Sequence, residues 1–198
     1  MTHIGNIAHI IEHGITHAGS KKANPDFISI GDGSLIGTRK NFVLNNGKLL
    51  GEYIPFYFAY KTPMLYVVQK GYNQVKPIAP EEIVYCVTSV QKILEFNIDF
   101  IFTDGHAFDR FSTQYTPRDI EKISEIIDWE AIKAKYWNIE SDLDLKRRKE
   151  AEFLVLGDIP IECILGYIVF NLNSQKRLVE NGINPEKISI KPDYYFKP

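Results

Sequence analysis

The chain has 198 residues, of which 44% are hydrophobic and 24% are charged, with a formal net charge of −2. These values are typical of one folded domain and not of a disordered chain, and the net charge argues against a DNA-coating protein that depends on bulk positive charge while leaving open a local groove for one strand. No apolar stretch approaches the ~18 residues of a membrane span and no secretion signal opens the chain, so we expect a cytoplasmic protein. Cys86 and Cys163 lie in apolar settings without CxxC spacing, which favours two reduced, buried thiols.

The first half of the chain mixes helical, strand and loop patterns. Apolar residues recur at helical spacing over residues 4–11, and Gly14 predicts the end of that helix. Residues 32–52 are rich in glycine and asparagine and are predicted to form a long loop, which in compact domains is usually functional or disordered. Three segments are predicted to be strands, the last two joined by a turn at residues 61–63: 27–31, 53–60 and 64–71.

The second half of the chain reads as strands interrupted by three helical regions. Helical spacing predicts a short helix over 90–97, a helical region over 117–137 in which Asp128 caps a second helix, and a helix over 174–182. β-Branched and aromatic runs predict strands at 82–89, 99–104, 152–157, 166–171 and 187–196. Because strands and helices do not alternate strictly and most connections are short, we expect an α+β fold on mixed or antiparallel sheet.

Common nucleotide and hydrolase motifs are absent from the sequence. There is no GxGxxG after a strand, no Walker loop and no GxSxG elbow. His9, His13 and His17 have the spacing of helical metal ligands, but Gly14 is expected to end the helix before His17 and no acidic third ligand is near. We therefore predict no metal site and expect these histidines to face solvent or a ligand.

Four features carry candidate chemistry. Arg39 lies in the polar loop, residues 53–66 are unusually aromatic, and His106 follows a strand in a polar turn. Glu152 opens an apolar strand directly after the cationic run 146–149. A carboxylate at the start of a buried strand is either paired or held there for chemistry.

Each of these features also has a purely structural interpretation. The aromatic side chains can belong to the core, and Arg39 can be a surface charge. His106 can be satisfied by Asp104, and Glu152 can pair with Arg148 or Lys149. The residues alone leave these alternatives open.

Five segments, in this order over nearly the whole chain, resemble one family: THIGNIAHIIEHGI, YIPFYFAYKTPMLY, FIFTDGHA, DWEAIKAKYW and KRRKEAEFLV. The family is that of the DarT toxins, the DNA ADP-ribosyltransferases of bacterial toxin–antitoxin pairs. The resemblance implies a single ADP-ribosyltransferase domain over residues 1–198, with two packed, mostly antiparallel sheets, flanking helices and an NAD cleft. It also implies NAD as the ADP-ribose donor, no metal, no membrane association, single-stranded DNA as the acceptor, and an antitoxin protein that removes the ADP-ribose.

The resemblance also implies roles for particular residues. Glu152 matches the catalytic glutamate, Arg39 the second functional residue, and residues 106–152 the loop that recognises the substrate. The implied NAD contacts are Thr2, His9, His17, Arg39 and Tyr57, and the implied DNA contacts are His106, Arg110, Arg147 and Arg148. Family members usually carry a further histidine just before the opening segment, and this sequence begins at Met1, so that cofactor contact is expected to be missing.

The chemistry of NAD cleavage fits these residues. Breaking the bond to nicotinamide builds positive charge on C1′ of the ribose, which the Glu152 carboxylate would stabilise. Arg39, with a pKa above ~12, suits cofactor phosphate and orientation, whereas His106, with an ordinary pKa near ~6.5, suits removal of a proton from the base. Residues 24–42 look more like the guanine-modifying branch than the thymine-modifying one, so guanine is the predicted acceptor.

Two other functions remain possible at this point. Asp104 and Glu152 could act as the carboxylate pair of a hydrolase, for example an NAD glycohydrolase. Alternatively, the aromatic segment and the basic run could form a non-enzymatic module that binds single-stranded nucleic acid.

Overall fold

A computed structural model describes residues 1–197, which form eight strands and eight α-helices. The strands are β1 (Thr2–His3), β2 (Tyr53–Tyr57), β3 (Ile83–Val87), β4 (Phe100–Thr103), β5 (Gln114–Tyr115), β6 (Glu152–Leu156), β7 (Gly166–Val169) and β8 (Ile188–Ile190). The helices are α1 (Ile7–His13), α2 (Gly33–Lys40), α3 (Pro63–Lys70), α4 (Val90–Glu95), α5 (Ile123–Ile126), α6 (Trp129–Lys133), α7 (Leu145–Lys149) and α8 (Leu172–Glu180). Within the described residues, no helix is both long enough and apolar enough to cross a lipid bilayer.

The strands form two four-stranded sheets. The first has the order β1-β3-β7-β8 and is antiparallel except for the parallel pair of β7 and β8. The second has the order β2-β6-β4-β5 and is antiparallel throughout. The predicted α+β fold with two mostly antiparallel sheets and flanking helices is therefore confirmed.

Helices α1 and α8 cover the first sheet. Ile7 of α1 and Leu178 of α8 are fully buried and pack with Val84 and Val169 of the sheet. Ile15, just after α1, also packs against the core of the second sheet. The two cores therefore meet near the end of α1.

Gly14 ends α1 as predicted, and its backbone explains why a glycine stands there. Its φ of 77° is in the region that favours glycine, and an added Cβ would lie 2.1 Å from the carbonyl oxygen of Ile159. The next residue, Ile15, exchanges two backbone hydrogen bonds with Ile159, at 2.9 and 2.8 Å. The end of α1 is thus joined to the segment that follows β6.

The core of the second sheet is largely aromatic. The rings of Phe100 and Phe153 stack with centroids 4.6 Å apart, and Phe58 meets Phe153 edge to face at 6.3 Å. Phe56 and Phe58 both pack against this core. The structural interpretation of these two aromatic residues holds, although each keeps some exposure.

Three predictions for residues 27–71 were wrong. Residues 27–31 form no strand, and the predicted loop 32–52 contains α2, whose N-cap Asp32 accepts hydrogen bonds from the N–H groups of Ser34 and Leu35. Residues 64–70 lie in helix α3, so the predicted strand 64–71 is not formed. The helix begins after the Thr62 cap, with Pro63 in its first turn. It ends before Gly71, whose backbone has the left-handed conformation.

The helical region after β5 follows the prediction. It starts as a 3₁₀-helix at Pro117–Lys122, continues as α5 and restarts at α6. The side chain of Asp128 accepts a hydrogen bond from the N–H of Ala131, which makes it the predicted cap. Cys86 and Cys163 are both free, Cys163 buried and Cys86 partly so.

Candidate active site

Glu152 is the first residue of β6, which lies between β2 and β4 in the centre of the second sheet. Its side chain is fully buried. Its backbone N–H donates to the hydroxyl of Thr103 at 3.2 Å, and that hydroxyl donates to the carbonyl of Gly105 at 2.6 Å. The carboxylate is therefore held on rigid strand backbone, with Thr103 fixing the turn beside it.

Arg39 covers this carboxylate. Its two terminal nitrogens donate to the two oxygens of Glu152, at 2.8 and 2.7 Å, and the N–H of Ala107 donates to Oε1 at 2.9 Å. Burial alone would lower the pKa of the Arg39 guanidinium, but the Glu152 carboxylate outweighs it and the pKa is raised. The arrangement is a bidentate, buried ion pair.

This pairing corrects the structural interpretation of Glu152. The carboxylate pairs with Arg39, which is 113 residues away in the sequence, and not with Arg148 or Lys149. Arg39, in turn, is not a free surface charge, since only 14% of its side chain is exposed.

His106 lies beside the ion pair. Its Nε2 is 3.9 Å from Oε1 of Glu152, and its backbone N–H donates to the carbonyl of Arg147 at 3.1 Å. Burial, opposed by Glu152 and assisted by Arg39, lowers the pKa of the imidazole. Asp104 accepts hydrogen bonds from the N–H of Thr113 and from Arg147. The suggestion that Asp104 satisfies His106 was therefore wrong.

Tyr57 pairs with Glu152 across β2 and β6. Burial and the charge of Glu152 raise the pKa of the Tyr57 phenol well above its ordinary value, so the phenol stays neutral and can donate a hydrogen bond. Its hydroxyl faces the sulfur of Met64 at 3.8 Å. Tyr57 thus joins Arg39, His106 and Glu152 in one cluster.

Glu150 is a second carboxylate near this cluster, and the sequence reasoning missed it. It follows the last residue of α7 and is partly buried. Burial and the charges of Glu152 and Asp109 raise its pKa to about 7, against the opposing effect of Lys146 and Arg39. The available signal was its place two residues before the candidate catalytic glutamate.

The basic run 146–149 forms most of α7 and is largely engaged within the protein. Arg147 binds Asp104 and Asp144, and Arg148 binds Asp128, Asp142 and Asp144. Lys149 is buried, with Nζ donating to the carbonyl of Ile132 at 2.8 Å and lying 5.6 Å from the ring centroid of Trp137. Lys146 is exposed and forms no ion pair within residues 1–197.

Arg147 also supports the site by contacting the neighbouring turn. Besides its acidic partners, it donates to the hydroxyl of Ser112 at 3.3 Å. It therefore ties α7 to the turn 104–113, which carries the N–H of Ala107 and the imidazole of His106. Arg110, at the surface of this turn, stacks over the ring of Phe111 at 4.8 Å.

The other predicted cofactor contacts lie around α1. The hydroxyl of Thr2 accepts a hydrogen bond from the side chain of Asn6. His9 bonds to the carbonyl of Lys22 at 2.9 Å, and Nε2 of His17 lies 3.8 Å from Asp158. These three side chains make no hydrogen bond to Arg39 or Glu152 within the described chain. No cluster of three or more potential ligands able to hold a metal is found among residues 1–197.

Two surface cavities flank α1 and α2. One, of about 1020 Å³, is lined by His3, by residues 28–34 and by residues 73–79. The other, of about 620 Å³, is lined by His13, His17 and Asp158. Glu152, which is fully buried, lines neither cavity. Helix α2 connects the larger cavity, at Gly33 and Ser34, with the ion pair at Arg39.

Comparison with known proteins identifies the family of the chain. A model of the family described as "ssDNA thymidine ADP-ribosyltransferase, DarT" matches residues 1–196. A DNA ADP-ribosyl transferase of Escherichia coli O127:H6 is 30% identical over 174 residues, which cover 86% of this chain and 78% of that protein. Within a fusion of a DNA ADP-ribosyl transferase with a DNA ADP-ribosyl glycohydrolase from Thermosipho africanus, the match is 27% over 201 residues and covers 49% of the fusion.

A solved structure from the same family has a similar fold. DarT of Thermus sp. 2.9, in complex with ADP-ribosylated single-stranded DNA, superposes with a TM-score of 0.84 and is 28% identical, covering 98% of this chain and 93% of that one. The same Thermus protein in complex with NAD⁺ gives a TM-score of 0.80. The predicted family and enzyme class are thereby confirmed: the chain belongs to the DarT family of DNA ADP-ribosyltransferases.

Proposed function

We propose that this protein transfers the ADP-ribosyl group of NAD to a base in single-stranded DNA. The observation that carries the proposal is the buried, bidentate contact of Arg39 with Glu152 at the start of β6. The described activity of the matched family, and the complexes of the Thermus protein with NAD⁺ and with ADP-ribosylated single-stranded DNA, support the two substrates.

Glu152 is the proposed catalytic residue. As the bond between ribose and nicotinamide breaks, its electron pair stays on the nicotinamide nitrogen and C1′ becomes positive. A carboxylate fixed on strand backbone stabilises that charge more in the transition state than in the ground state. Its complete burial strengthens the interaction, since water does not screen it.

For the ribose to reach Glu152, Arg39 has to give up at least one of its two bonds to the carboxylate. Helix α2 has no buried residue, so moving it exposes little apolar surface. We propose that Arg39 exchanges Glu152 for the pyrophosphate of NAD, whose oxygens offer a guanidinium the same bidentate geometry. The freed carboxylate can then face the ribose.

We place NAD along α2. From Ser34 at the larger cavity to Arg39 at the ion pair, five residues of helix span about 8 Å. An extended dinucleotide can therefore occupy the cavity with one end and the Glu152 cluster with the other. Tyr57 contacts the nicotinamide end in this arrangement, and Thr2, His9 and His17 stay predicted contacts elsewhere on the cofactor.

The DNA approaches over the turn 104–113 and α7. Single-stranded bases stack on aromatic and guanidinium planes, and the Arg110–Phe111 pair presents such a surface, with 69% of Phe111 exposed. Arg110 and Lys146 suit phosphate contacts. Arg147 and Arg148 stay predicted DNA contacts that would have to exchange their acidic partners for phosphates, and His106 stays a candidate for contact with the base.

The choice of base is part of the proposal. Guanine is the proposed base, because residues 24–42 resemble the guanine-modifying branch, whereas the description of the matched family names thymidine. Two single-stranded oligonucleotides, one lacking G and the other lacking T, separate these possibilities when their products with NAD are weighed. Modification of the T-free strand supports guanine, and modification confined to the G-free strand overturns it.

The proposed partner is an antitoxin protein that removes the ADP-ribose. The proposed location is the cytoplasm, which holds both NAD and DNA. The Thermosipho relative, which joins a transferase to a glycohydrolase in one chain, supports such a pairing. A toxin role follows if the modification stops growth of the host. Expression in cells with and without a DNA ADP-ribosyl glycohydrolase would test both points.

The decisive experiment is mass spectrometry of an oligonucleotide after incubation with the protein and NAD. An increase equal to one ADP-ribosyl group is expected, with a loss of roughly a hundredfold or more in rate for Glu152→Gln. Glu180→Gln, which changes an exposed glutamate at the end of α8, is the matched control. NAD cleavage without any adduct would favour the glycohydrolase, and DNA binding without NAD cleavage would favour the binding module.

A further inference from the structure

Residues 41–49 form a loop that follows α2 and contacts the turn beside the active site. The ring of Phe42 meets the ring of Phe108 edge to face, with centroids 5.1 Å apart. The backbone N–H of Asn45 donates to the side-chain carbonyl of Gln114 at 2.9 Å. These two contacts hold the loop, called here the α2 loop, against the turn and against the strand β5 that follows it.

The α2 loop is itself a closed and packed unit. The N–H of Leu44 donates to the carbonyl of Lys48 at 2.9 Å, and the N–H of Leu50 donates to the carbonyl of Phe42 at 2.8 Å. Leu44 is buried in one apolar cluster with Ala107 of the turn. Because packed groups move together, a displacement at one end of this loop reaches the other end.

The contacts close a ring around the active-site carboxylate. Arg39 of α2 binds Glu152, and its carbonyl accepts a hydrogen bond from the N–H of Phe42 at 3.2 Å. Phe42 packs on Phe108, and the N–H of the neighbouring Ala107 donates to Oε1 of Glu152. Helix α2 and the turn are therefore connected by two routes, one through the carboxylate and one through the α2 loop.

In the proposed function, one of these routes opens when NAD binds, because Arg39 has to release Glu152. The α2 loop then remains as the connection between α2 and the turn. A shift of α2 toward the cofactor displaces the loop, and with it the turn that presents Arg110 and Phe111 to DNA. The turn thus has different positions in the free and the NAD-bound protein, and DNA can bind these two states with different affinities.

We propose that Phe108 and Gln114 are positioning residues that make the affinity for single-stranded DNA depend on bound NAD. This inference rests on the proposed function and extends it from two substrates to the coupling between them. The coupling is expected to be positive, since transfer takes place only when the base and the ribose of NAD occupy the site together. Because such coupling is reciprocal, DNA increases the affinity for NAD by the same factor.

The experiment measures the affinity for a single-stranded oligonucleotide by fluorescence anisotropy, with and without saturating carba-NAD. In this analogue a carbon replaces the ring oxygen of the nicotinamide ribose, so positive charge at C1′ is not stabilised and the bond to nicotinamide is not cleaved. The variants are Phe108→Leu and Gln114→Leu. Phe170→Leu is the matched control, because Phe170 meets Tyr195 edge to face at 5.4 Å in a different core.

In the wild type and in Phe170→Leu, we expect carba-NAD to tighten DNA binding roughly fivefold or more. In Phe108→Leu and Gln114→Leu the gain should fall to about twofold or less, while each ligand alone still binds. Calorimetry of carba-NAD with and without DNA should give the same factors. Thermal unfolding establishes that each variant is folded, and Gln114→Leu removes only one hydrogen bond, to the exposed Asn45.

Equal gains in the wild type and in both variants overturn the inference, because the coupling then comes from direct contact between the two substrates. An equal loss of coupling in Phe170→Leu overturns the assignment to the α2 loop. A wild type that binds the two ligands independently but forms an adduct with NAD overturns the inference and leaves the proposed function intact. If the wild type forms no adduct, the proposed function fails and the inference fails with it.

Discussion

Arg39 and Glu152 bind each other through two parallel hydrogen bonds of 2.8 and 2.7 Å, although 113 residues separate them in the sequence. The carboxylate is fully buried and the guanidinium nearly so. Because buried charges are costly unless paired, this contact links the fold of the site to its chemistry.

The ion pair predicts that removing one of its charges destabilises the protein more than removing both. Arg39→Met leaves the Glu152 carboxylate buried with only the N–H of Ala107 as a partner, and we expect a loss of about 3 kcal/mol in the free energy of unfolding. Arg39→Met combined with Glu152→Met removes both charges and should recover most of that loss. Urea unfolding of wild type, both single variants and the double variant measures the coupling. A double variant no more stable than Arg39→Met would contradict a buried ion pair.

Glu150 predicts a pH-dependent difference in stability. Its pKa is raised from 4.5 to about 7, so between these values the folded state holds a proton that the unfolded state has lost. Stability from this group is present below pH 4.5 and is lost as the pH rises through about 7. Glu150→Gln removes the effect, so the variant should become more stable than wild type as the pH rises, by about 3 kcal/mol at pH 8.

The measurement is urea unfolding of wild type and Glu150→Gln at several pH values from 5 to 8. The lowered pKa of His106 acts with the opposite sign, since stability is lost as the pH falls below 6.5. The difference between the two proteins cancels this contribution. A pH-independent difference would show that the carboxylate is ionised throughout in the folded protein.

The basic residues of α7 and of the preceding turn are predicted to have two separate roles. Those without acidic partners bind DNA, and those with acidic partners stabilise the fold. Lys146 and Arg110 have no acidic partner within residues 1–197, so Lys146→Gln and Arg110→Gln should each weaken DNA binding and reduce the salt slope by about 1. Arg148 binds three aspartates, so Arg148→Gln should lower stability by about 1 kcal/mol and leave the slope unchanged. Fluorescence anisotropy at several salt concentrations gives the slopes. A reduced slope for Arg148→Gln would establish Arg148 as a phosphate contact after all.

The sequence was informative where local patterns decide the structure. Asp128 precedes an apolar-periodic segment and is its cap, and the apolar run after Glu152 is the central strand β6. The strand prediction for residues 64–71 was wrong because a short apolar run fits a strand or a helix equally well. The deciding signal is Thr62 followed by Pro63, a pair that fits the start of a helix as well as the predicted turn.

The candidate site was only partly accessible from the sequence. The resemblance selected Arg39, His106 and Glu152, and the structure brings these three together. The bond between Arg39 and Glu152 has no local signal, since it depends on how α2 is carried to the second sheet. Arg147 and Arg148 form ion pairs with aspartates, which the sequence also could not predict, because a run of cations does not indicate which residues it contacts in the fold.

Gly14 and Gly33 predict opposite effects of the same substitution. Gly14 has a φ of 77° and an added Cβ would lie 2.1 Å from the carbonyl oxygen of Ile159, so Gly14→Ala should lower the free energy of unfolding by about 3 kcal/mol or more. At Gly33, in the first turn of α2, an added Cβ meets no atom within 4 Å, and Gly33→Ala should stabilise the protein by about 0.5 kcal/mol. Thermal and urea unfolding of the two variants give the comparison. Equal stabilities would mean that the junction between α1 and the segment after β6 moves to accept a side chain, and that the cores of the two sheets are less firmly joined there than the contacts of Ile15 indicate.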